Sequence, residues 1–144
     1  MSESGRPVPV SDAQSAPYWA AAARHELVAA HCRVCKMFAI PPDVVCPHCG
    51  AVDSPLSFEP LTGRGIVRSW TVVEDAIVPG FADQVPFLLV DVELADQADL
   101  RMTGRLLDRP DTPIQVGMPV TVTFEDVAPD VAIPAFVLAR REQG

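Results

Sequence analysis

The sequence predicts a mainly β protein, in which a short N-terminal helix and a cysteine-rich segment precede a five-stranded antiparallel barrel. Fifteen prolines in 144 residues favour short strands and turns over long helices. After residue 63, apolar and polar residues alternate, which is the period of strands with one buried face. All four cysteines fall within residues 32–49, which marks that stretch as a module of its own.

The first part of the chain divides into a tail, a helix and the cysteine segment. Residues 1–14 are polar and are expected to form a flexible or loosely docked tail. Ser15 is placed to cap a short helix that ends near Arg24, and Trp19 near its start is expected to contact another element or a partner. Residues 27–31 predict a strand. The predicted boundaries are a tail at 1–14, helix plus cysteine segment at 15–52 and the barrel at 53–141.

Five strands are predicted in the second part of the chain. Strand 87–94 shows the pattern most clearly, because Leu88, Val90 and Val92 share one face while acidic residues lie on the other. The first three strands have no room for helices between them, so an antiparallel barrel is expected, and the OB-fold fits five strands best. Prolines in residues 108–118 favour a loop there. The predicted strands are 66–73, 87–94, 100–106, 119–127 and 135–140, and the predicted core includes Val90, Val92, Met102, Val120, Val122 and Phe124.

The cysteines form two C-x-x-C pairs separated by ten residues, Cys32-Arg-Val-Cys35 and Cys46-Pro-His-Cys49. Each pair can form a tight turn, or knuckle, whose backbone amides point at the sulfurs, and two facing knuckles place four thiolates about 2.3 Å from a zinc ion. Four protein ligands leave no position for water, so one structural zinc ion per chain is predicted, although iron could occupy the same cage. Two disulfides are the weaker account in a cytosolic protein, and redox dithiols would not need two pairs.

The residue that follows each knuckle differs. Gly50 follows the second knuckle, where a positive φ angle is often required, but Lys36 stands at the matching position of the first. A lysine adopts that conformation at a cost, so the first knuckle is expected to be the looser one. His48 lies between two ligands and is expected to be an exposed histidine rather than a ligand.

Charge and motif content argue against several classes of function. The net charge of −8 disfavours binding to a phosphate backbone. No apolar stretch approaches the roughly 20 residues that span a bilayer, and no secretory signal is visible, so a cytoplasmic location is expected. The sequence contains no nucleophile elbow, Gly-rich phosphate loop or His-x-x-x-His pair, so the chain is not expected to be an enzyme.

Short motifs in a fixed order resemble a known family over about residues 17–138. The two cysteine pairs, with Ile40-Pro41-Pro42 between them, resemble the rubredoxin-like zinc ribbon of domain-of-unknown-function family 35. Lys36 and His31 depart from the glycine and the basic residue common there, which affects only the detail of the knuckle. Later motifs that agree are Gly63-Arg-Gly65, Ser69-Trp-Thr71, Pro79-Gly-Phe81, Gly104-Arg-Leu106 and Val116-Gly-Met.

This resemblance implies a zinc ribbon joined to an acyl-CoA-associated OB-fold. Family members look like accessory subunits of thiolases, lipid-transfer-type thiolases that act as aldolases, ketoacyl synthases or MaoC-like hydratases, including in steroid side-chain degradation. The implied function is a non-catalytic subunit that binds and stabilises such an enzyme in lipid or steroid metabolism. A hetero-oligomer with two copies of each chain is the expected assembly, and whether acyl-CoA is touched stays open.

Apolar and basic residues of the barrel are the candidate contacts. Phe87 and Leu89, on the outward face of their strand, either form an apolar docking surface or close the end of the barrel. Arg64 and Arg68 either attract the phosphates of coenzyme A or simply solvate a face. The candidate residues for contact with a partner or acyl-CoA are Trp19, Arg64, Arg68, Trp70, Phe81, Phe87 and Leu89.

Two other functions stay open from the sequence. Zinc ribbons and OB-folds commonly bind nucleic acid, but this needs a basic groove and stacking aromatics, and only Trp70 on the barrel strands is a good stacking candidate. An iron-tetrathiolate electron carrier is the other alternative, and its red colour would distinguish it from a colourless zinc protein.

Overall fold

The computed structural model describes residues 6–52 and 56–139. Within these ranges, one helix and eight strands form a three-stranded sheet and a closed five-stranded barrel. The prediction of a mainly β chain with an N-terminal helix and a five-stranded barrel is confirmed. The elements are α1 (Ala16–Ala23), β1 (Val28–Cys32), β2 (Phe38–Ala39), β3 (Leu56–Pro60), β4 (Arg64–Val73), β5 (Phe87–Leu94), β6 (Arg101–Leu106), β7 (Pro119–Ala128) and β8 (Val131–Leu138).

Helix α1 lies at the predicted place, but its start is built differently. Ser15 stands at the N-cap position, yet its side chain does not cap the helix. Its hydroxyl donates instead to the carboxylate of Asp12 at 2.8 Å. The helix packs on β8 and β1, with Ala21 and Ala22 buried. In the described part of the chain, no helix is long and apolar enough to cross a membrane.

Strand β1 is the centre of the small sheet, whose order is β2-β1-β3 with both pairs antiparallel. Strand β3 pairs along the whole of β1, from Val28 opposite Pro60 to Cys32 opposite Leu56. The chain therefore returns to this sheet after the second knuckle before it enters the barrel.

The barrel closes in the order β4-β5-β6-β8-β7, with β7 pairing back onto β4. Four of its five pairs are antiparallel, but β6 and β8 pair in parallel, with Leu106 opposite Phe136. The expectation of a wholly antiparallel barrel is corrected on this point. A closed ring with an odd number of strands cannot alternate in direction all the way round, so at least one neighbouring pair must be parallel.

The core fills the barrel largely from the predicted face of β5. Val90 and Val92 are completely buried, as is Val120 on β7, and Phe136 of β8 is the largest fully buried side chain among the described residues. Val122 and Phe124, which were predicted inside, are only half-buried and pack at the margin of the core. The predicted burial is therefore confirmed for Val120, whereas Val122 and Phe124 are less buried than predicted.

The small sheet and the barrel share one apolar core, in which Leu27 is buried with the barrel residues and Phe38 packs against it. The Gln97 side chain also bonds the backbone of Phe38 twice, accepting from its N–H at 2.7 Å and donating to its carbonyl at 3.1 Å. The cysteine turns are thereby held in a fixed position on the barrel.

Candidate functional site

The four cysteine sulfurs converge beside the small sheet. Cys32 ends β1, and all four sulfurs lie within 4.8 Å of one another. The Cys32–Cys49 and Cys35–Cys46 distances between sulfurs are 3.8 and 3.7 Å. A tetrahedron of sulfurs about 2.3 Å from a zinc ion has edges of about 3.8 Å, so the spacing fits one metal ion. It is far too long for a disulfide, which needs about 2.05 Å.

Backbone amides point at the sulfurs, as the C-x-x-C spacing predicts. The N–H groups of Val34 and Cys35 lie 3.3 and 3.5 Å from the Cys32 sulfur, and the His48 N–H lies 3.4 Å from that of Cys46. These hydrogen bonds favour the charged form of a thiol. The two amides that bond Cys32 lower its pKa to about 6, with the Cys35 amide as the largest cause.

Cys35, by contrast, does not ionise at neutral pH without a cation. The Met37 amide favours the Cys35 thiolate, but burial and the neighbouring cysteine sulfurs outweigh it and raise the pKa of Cys35 to about 12. A divalent metal ion removes this conflict, because it is attracted to every thiolate. Metal binding must therefore release protons, and the affinity for the metal should fall as the pH is lowered.

The histidines near the knuckles have other contacts. The Nε2 atom of His48 lies 3.0 Å from the carbonyl oxygen of Phe38. The ring of His31 packs edge-on against the Phe38 ring, with 4.8 Å between centroids. Both rings therefore contact the start of β2, and the cysteines alone serve as the metal ligands.

The two knuckles close in the same way. Lys36 has φ of 68° and Gly50 has φ of 78°, and each donates its N–H to the carbonyl of the first cysteine of its pair at 2.9 Å. The lysine therefore does not loosen the hydrogen bonding of the first knuckle. Its cost is the strain of a left-handed conformation, which only glycine adopts freely.

We expect Lys36→Gly to stabilise the metal-bound protein by about 1 kcal/mol, because the strain of the left-handed lysine is relieved. The matched control is Gly50→Lys, which should destabilise it by a similar amount, since a Cβ at that position meets no atom within 4 Å and only the φ angle opposes it. Thermal unfolding with zinc in excess measures both. A lower melting temperature for Lys36→Gly would contradict the strain at this knuckle.

Two family models cover most of the chain. Residues 19–53 match the rubredoxin-like zinc ribbon domain of ChsH2, and residues 58–125 match the C-terminal OB-fold domain of ChsH2. The class is thus a zinc ribbon joined to an OB-fold, and the four-cysteine centre is a structural zinc site. The chain belongs to the family of ChsH2, which is domain-of-unknown-function family 35.

Individual relatives agree with this assignment. A chain of the Ltp2-ChsH2(DUF35) aldolase is 29% identical, has a TM-score of 0.77, and the match covers 90% of this chain and 98% of that one. A DUF35 protein of unknown function from Sulfolobus solfataricus, 11% identical, shares the fold with a TM-score of 0.59 over 90% of this chain and 87% of its own. A probable enoyl-CoA hydratase alpha subunit from Thermomonospora curvata is 30% identical over 131 residues. That match covers 91% of this chain but only 39% of the relative, so the chain spans about two fifths of the curated relative's length.

The structure brings several candidate contact residues together. Phe81 and Phe87 have ring centroids 5.7 Å apart and line an apolar pocket of about 280 Å³. Leu89 follows on the same outward face of β5, and Trp70 lies on the neighbouring β4 with 42% of its surface exposed. We call the large apolar side chains that line this pocket the apolar surface; it comprises Val73, Ile77, Val78, Phe81 and Phe87.

Two other candidate contacts lie elsewhere or are already paired. Trp19 lines a separate pocket with Pro9 and Asp130, and that pocket shares no lining residue with the apolar one. Arg68 forms an ion pair with Glu93 at 3.3 Å, which reduces its attraction for a phosphate group. Contact of Trp19 and Arg68 with a partner or with acyl-CoA therefore stays a sequence prediction.

One residue that organises the apolar surface was missed by the sequence analysis. Arg6, in the predicted tail, forms an ion pair with Glu125 at 3.3 Å, and its guanidinium lies 4.9 Å from the centroid of the Phe81 ring. It thus links the loop that carries Phe81 to β7. No local pattern signals such a contact, because the two charged residues are 119 positions apart.

Proposed function

We propose that this chain is an accessory subunit that binds and stabilises an enzyme acting on acyl-CoA, either a thiolase-like aldolase or a MaoC-like hydratase. Two similar proteins support this. One is a chain of the Ltp2-ChsH2 aldolase, and the other is named a probable enoyl-CoA hydratase alpha subunit. The partner performs the chemistry, in lipid or steroid side-chain metabolism, and each chain is present in two copies.

The observation that carries the proposal is the apolar surface. Ile77 is 89% exposed and Val78 is 46% exposed, and both line the same pocket as Phe81 and Phe87. Contiguous apolar groups of this kind are uncommon on a protein that works alone, and they are typical of the centre of a protein–protein interface. The zinc centre does not compete as a site of reaction, because four cysteines fill its coordination sphere.

The proposed role is that of a rigid adaptor that covers or completes the acyl-CoA site of its partner. Zinc, the shared core and the Gln97 contacts hold the ribbon and the barrel as one unit. Direct contact with acyl-CoA is part of this proposal through Arg64, which is exposed at the start of β4, and through Trp70 further along. A rigid adaptor loses little conformational entropy on binding, which favours a stable complex.

Co-expression with a thiolase-like or MaoC-like hydratase subunit from the same organism tests the proposal. The two should co-elute in gel filtration, and the enzyme should be insoluble or poorly active alone. The isolated chain should show no aldolase, thiolase or hydratase turnover. The proposal fails if every such enzyme is soluble and fully active by itself and never co-elutes.

Within that complex, Ile77→Asp should weaken the affinity roughly 10- to 100-fold, since the buried area of one large apolar side chain is lost. The free protein should melt as the wild type does, because Ile77 is almost fully exposed. The matched control is Val44→Asp, in the ribbon, where valine is 56% exposed. Isothermal titration of both variants measures the difference, and equal affinities would place the interface away from the apolar surface.

A further inference from the structure

The second half of β4 leaves one backbone edge without a partner strand among the residues that the structure describes. Strand β4 pairs with β5 over residues 65–73 but with β7 only over residues 64–66. Two more backbone hydrogen bonds join Val67 to the segment before β7, at 2.9 and 2.7 Å. We call residues 69–73 the open edge, because among the described residues they pair with β5 and with no strand on their other side.

The alternation of an antiparallel ladder identifies the groups that face this edge. The N–H of Leu94 donates on the β6 side of β5, over a distance of 2.8 Å. The backbone groups of every second residue before Leu94 therefore also point to β6. The backbone groups of the residues between them point to β4. Leu89 is one that points to β4, and its partner there is Thr71. The backbone groups of Trp70 and Val72 therefore point away from β5, to the open edge.

Each face of the open edge carries an apolar side chain that is incompletely covered. By register, Trp70 lies opposite Val90, on the face that forms the core, yet its side chain is 42% exposed. On the other face, Val73 lies opposite Phe87 and lines the apolar pocket. An added strand would place alternate side chains over Trp70 on one face and into the pocket on the other.

We propose that the partner enzyme contributes an extended apolar segment that pairs with the open edge as an additional strand. This inference rests on the proposed function, because it names the surface through which the accessory subunit binds. An uncovered edge with so few charges invites association with other strands, so a dedicated partner is favoured. Glu74 and Asp75 follow the edge directly, which favours a basic residue at that end of the partner's segment.

A second copy of this chain fits the edge less well. If two edges paired antiparallel with their faces matched, Val73 would lie opposite Ser69 or Thr71 of the copy. Neither side chain is large or apolar enough to fill the 280 Å³ pocket. The net charge of −8 on each chain also opposes self-association.

Amide hydrogen exchange of the wild-type chain, alone and in complex with the co-expressed enzyme, tests the inference. In the free chain, the amides of Ser69, Thr71 and Val73 should exchange slowly and those of Trp70 and Val72 quickly. In the complex, Trp70 and Val72 should become at least about 10-fold slower, as expected for new backbone hydrogen bonds.

The matched substitutions are Val72→Pro and Thr71→Pro. Proline at Val72 removes an N–H at the open edge and no bond to β5, so the free chain should melt close to the wild type while affinity for the enzyme falls about 10-fold or more. Proline at Thr71 removes a bond to β5 and should lower the melting temperature. Trp70→Ser, which keeps the backbone, should also weaken binding.

The outcomes separate the two levels of the proposal. If the wild type never co-elutes with the enzyme, the proposed function fails and this inference falls with it. If the wild type binds but Val72→Pro binds equally well and Trp70 and Val72 gain no protection, the accessory function stands and the strand pairing is wrong.

Discussion

Cys46→Ser protein is expected to purify with far less than one zinc ion per chain, whereas the wild type should hold about one without added metal. Cys46 is buried, and its sulfur lies 3.7 Å from that of Cys35. Structural zinc sites of this kind contribute roughly 10–16 kcal/mol of apparent binding free energy, and a hydroxyl is a poor replacement for a thiolate. Metal analysis after gel filtration measures the loss directly.

The structural consequence should be concentrated in the ribbon. Amides of β1 and β2 should lose protection from exchange in Cys46→Ser, while those of β5 and β6 keep most of theirs. Val34→Ser is the matched control, because Val34 is exposed in the first knuckle and its substitution leaves all four thiolates in place. Full zinc occupancy in Cys46→Ser, or in wild-type protein with two cysteines alkylated in the native state, would contradict the site.

The metal centre was predictable because its information is local. The spacing of Cys32, Cys35, Cys46 and Cys49 defines two knuckles, and the amides that point at the sulfurs follow from each turn. The positive φ of Lys36 was also anticipated from the matching position of Gly50. Beyond these local features, the site requires only that the small sheet brings the two knuckles together.

The sequence predicts where the strands of the barrel lie, but it predicts less well which side chains of each strand face the core. Alternation along β5 identifies Val90 and Val92 as buried, but β4 contains a bulge between Val67 and Ser69 that shifts the register against β5. A period-two pattern cannot show such a shift, so the sequence does not reveal that Trp70 belongs to the inner face. The parallel pairing of β6 with β8 follows from ring closure, which no single strand encodes.

The long-range contacts that hold the tail, the ribbon and the barrel together could not be predicted from the sequence. Arg6 reaches Glu125 and Phe81, and Gln97 reaches Phe38, across separations of 59 residues or more. These partners meet only because the tail and the ribbon pack on the barrel. The function was suggested by the resemblance to a family, whereas the open edge that directs its test comes from strand pairing alone.

The second large effect is expected for Val92→Asp, which should prevent the barrel from folding. Val92 is 0% exposed and lies between Val67 of β4 and Met102 of β6. An unpaired carboxylate at such a place costs several kcal/mol, which is comparable with the whole stability of a small domain. Circular dichroism and thermal unfolding should show no cooperative transition near that of the wild type.

Leu89→Asp is the control on the same strand, because the side chain of Leu89, three residues before Val92, points outward and is half-buried. This variant should melt close to the wild type and bind the partner more weakly, because it lies beside the open edge, opposite Thr71. Val122→Asp should fall between the two, since Val122 packs only at the margin of the core. If Val92→Asp keeps the wild-type melting temperature, the assigned inner face of β5 is wrong; if Leu89→Asp unfolds as Val92→Asp does, the loss of binding cannot be assigned to the surface.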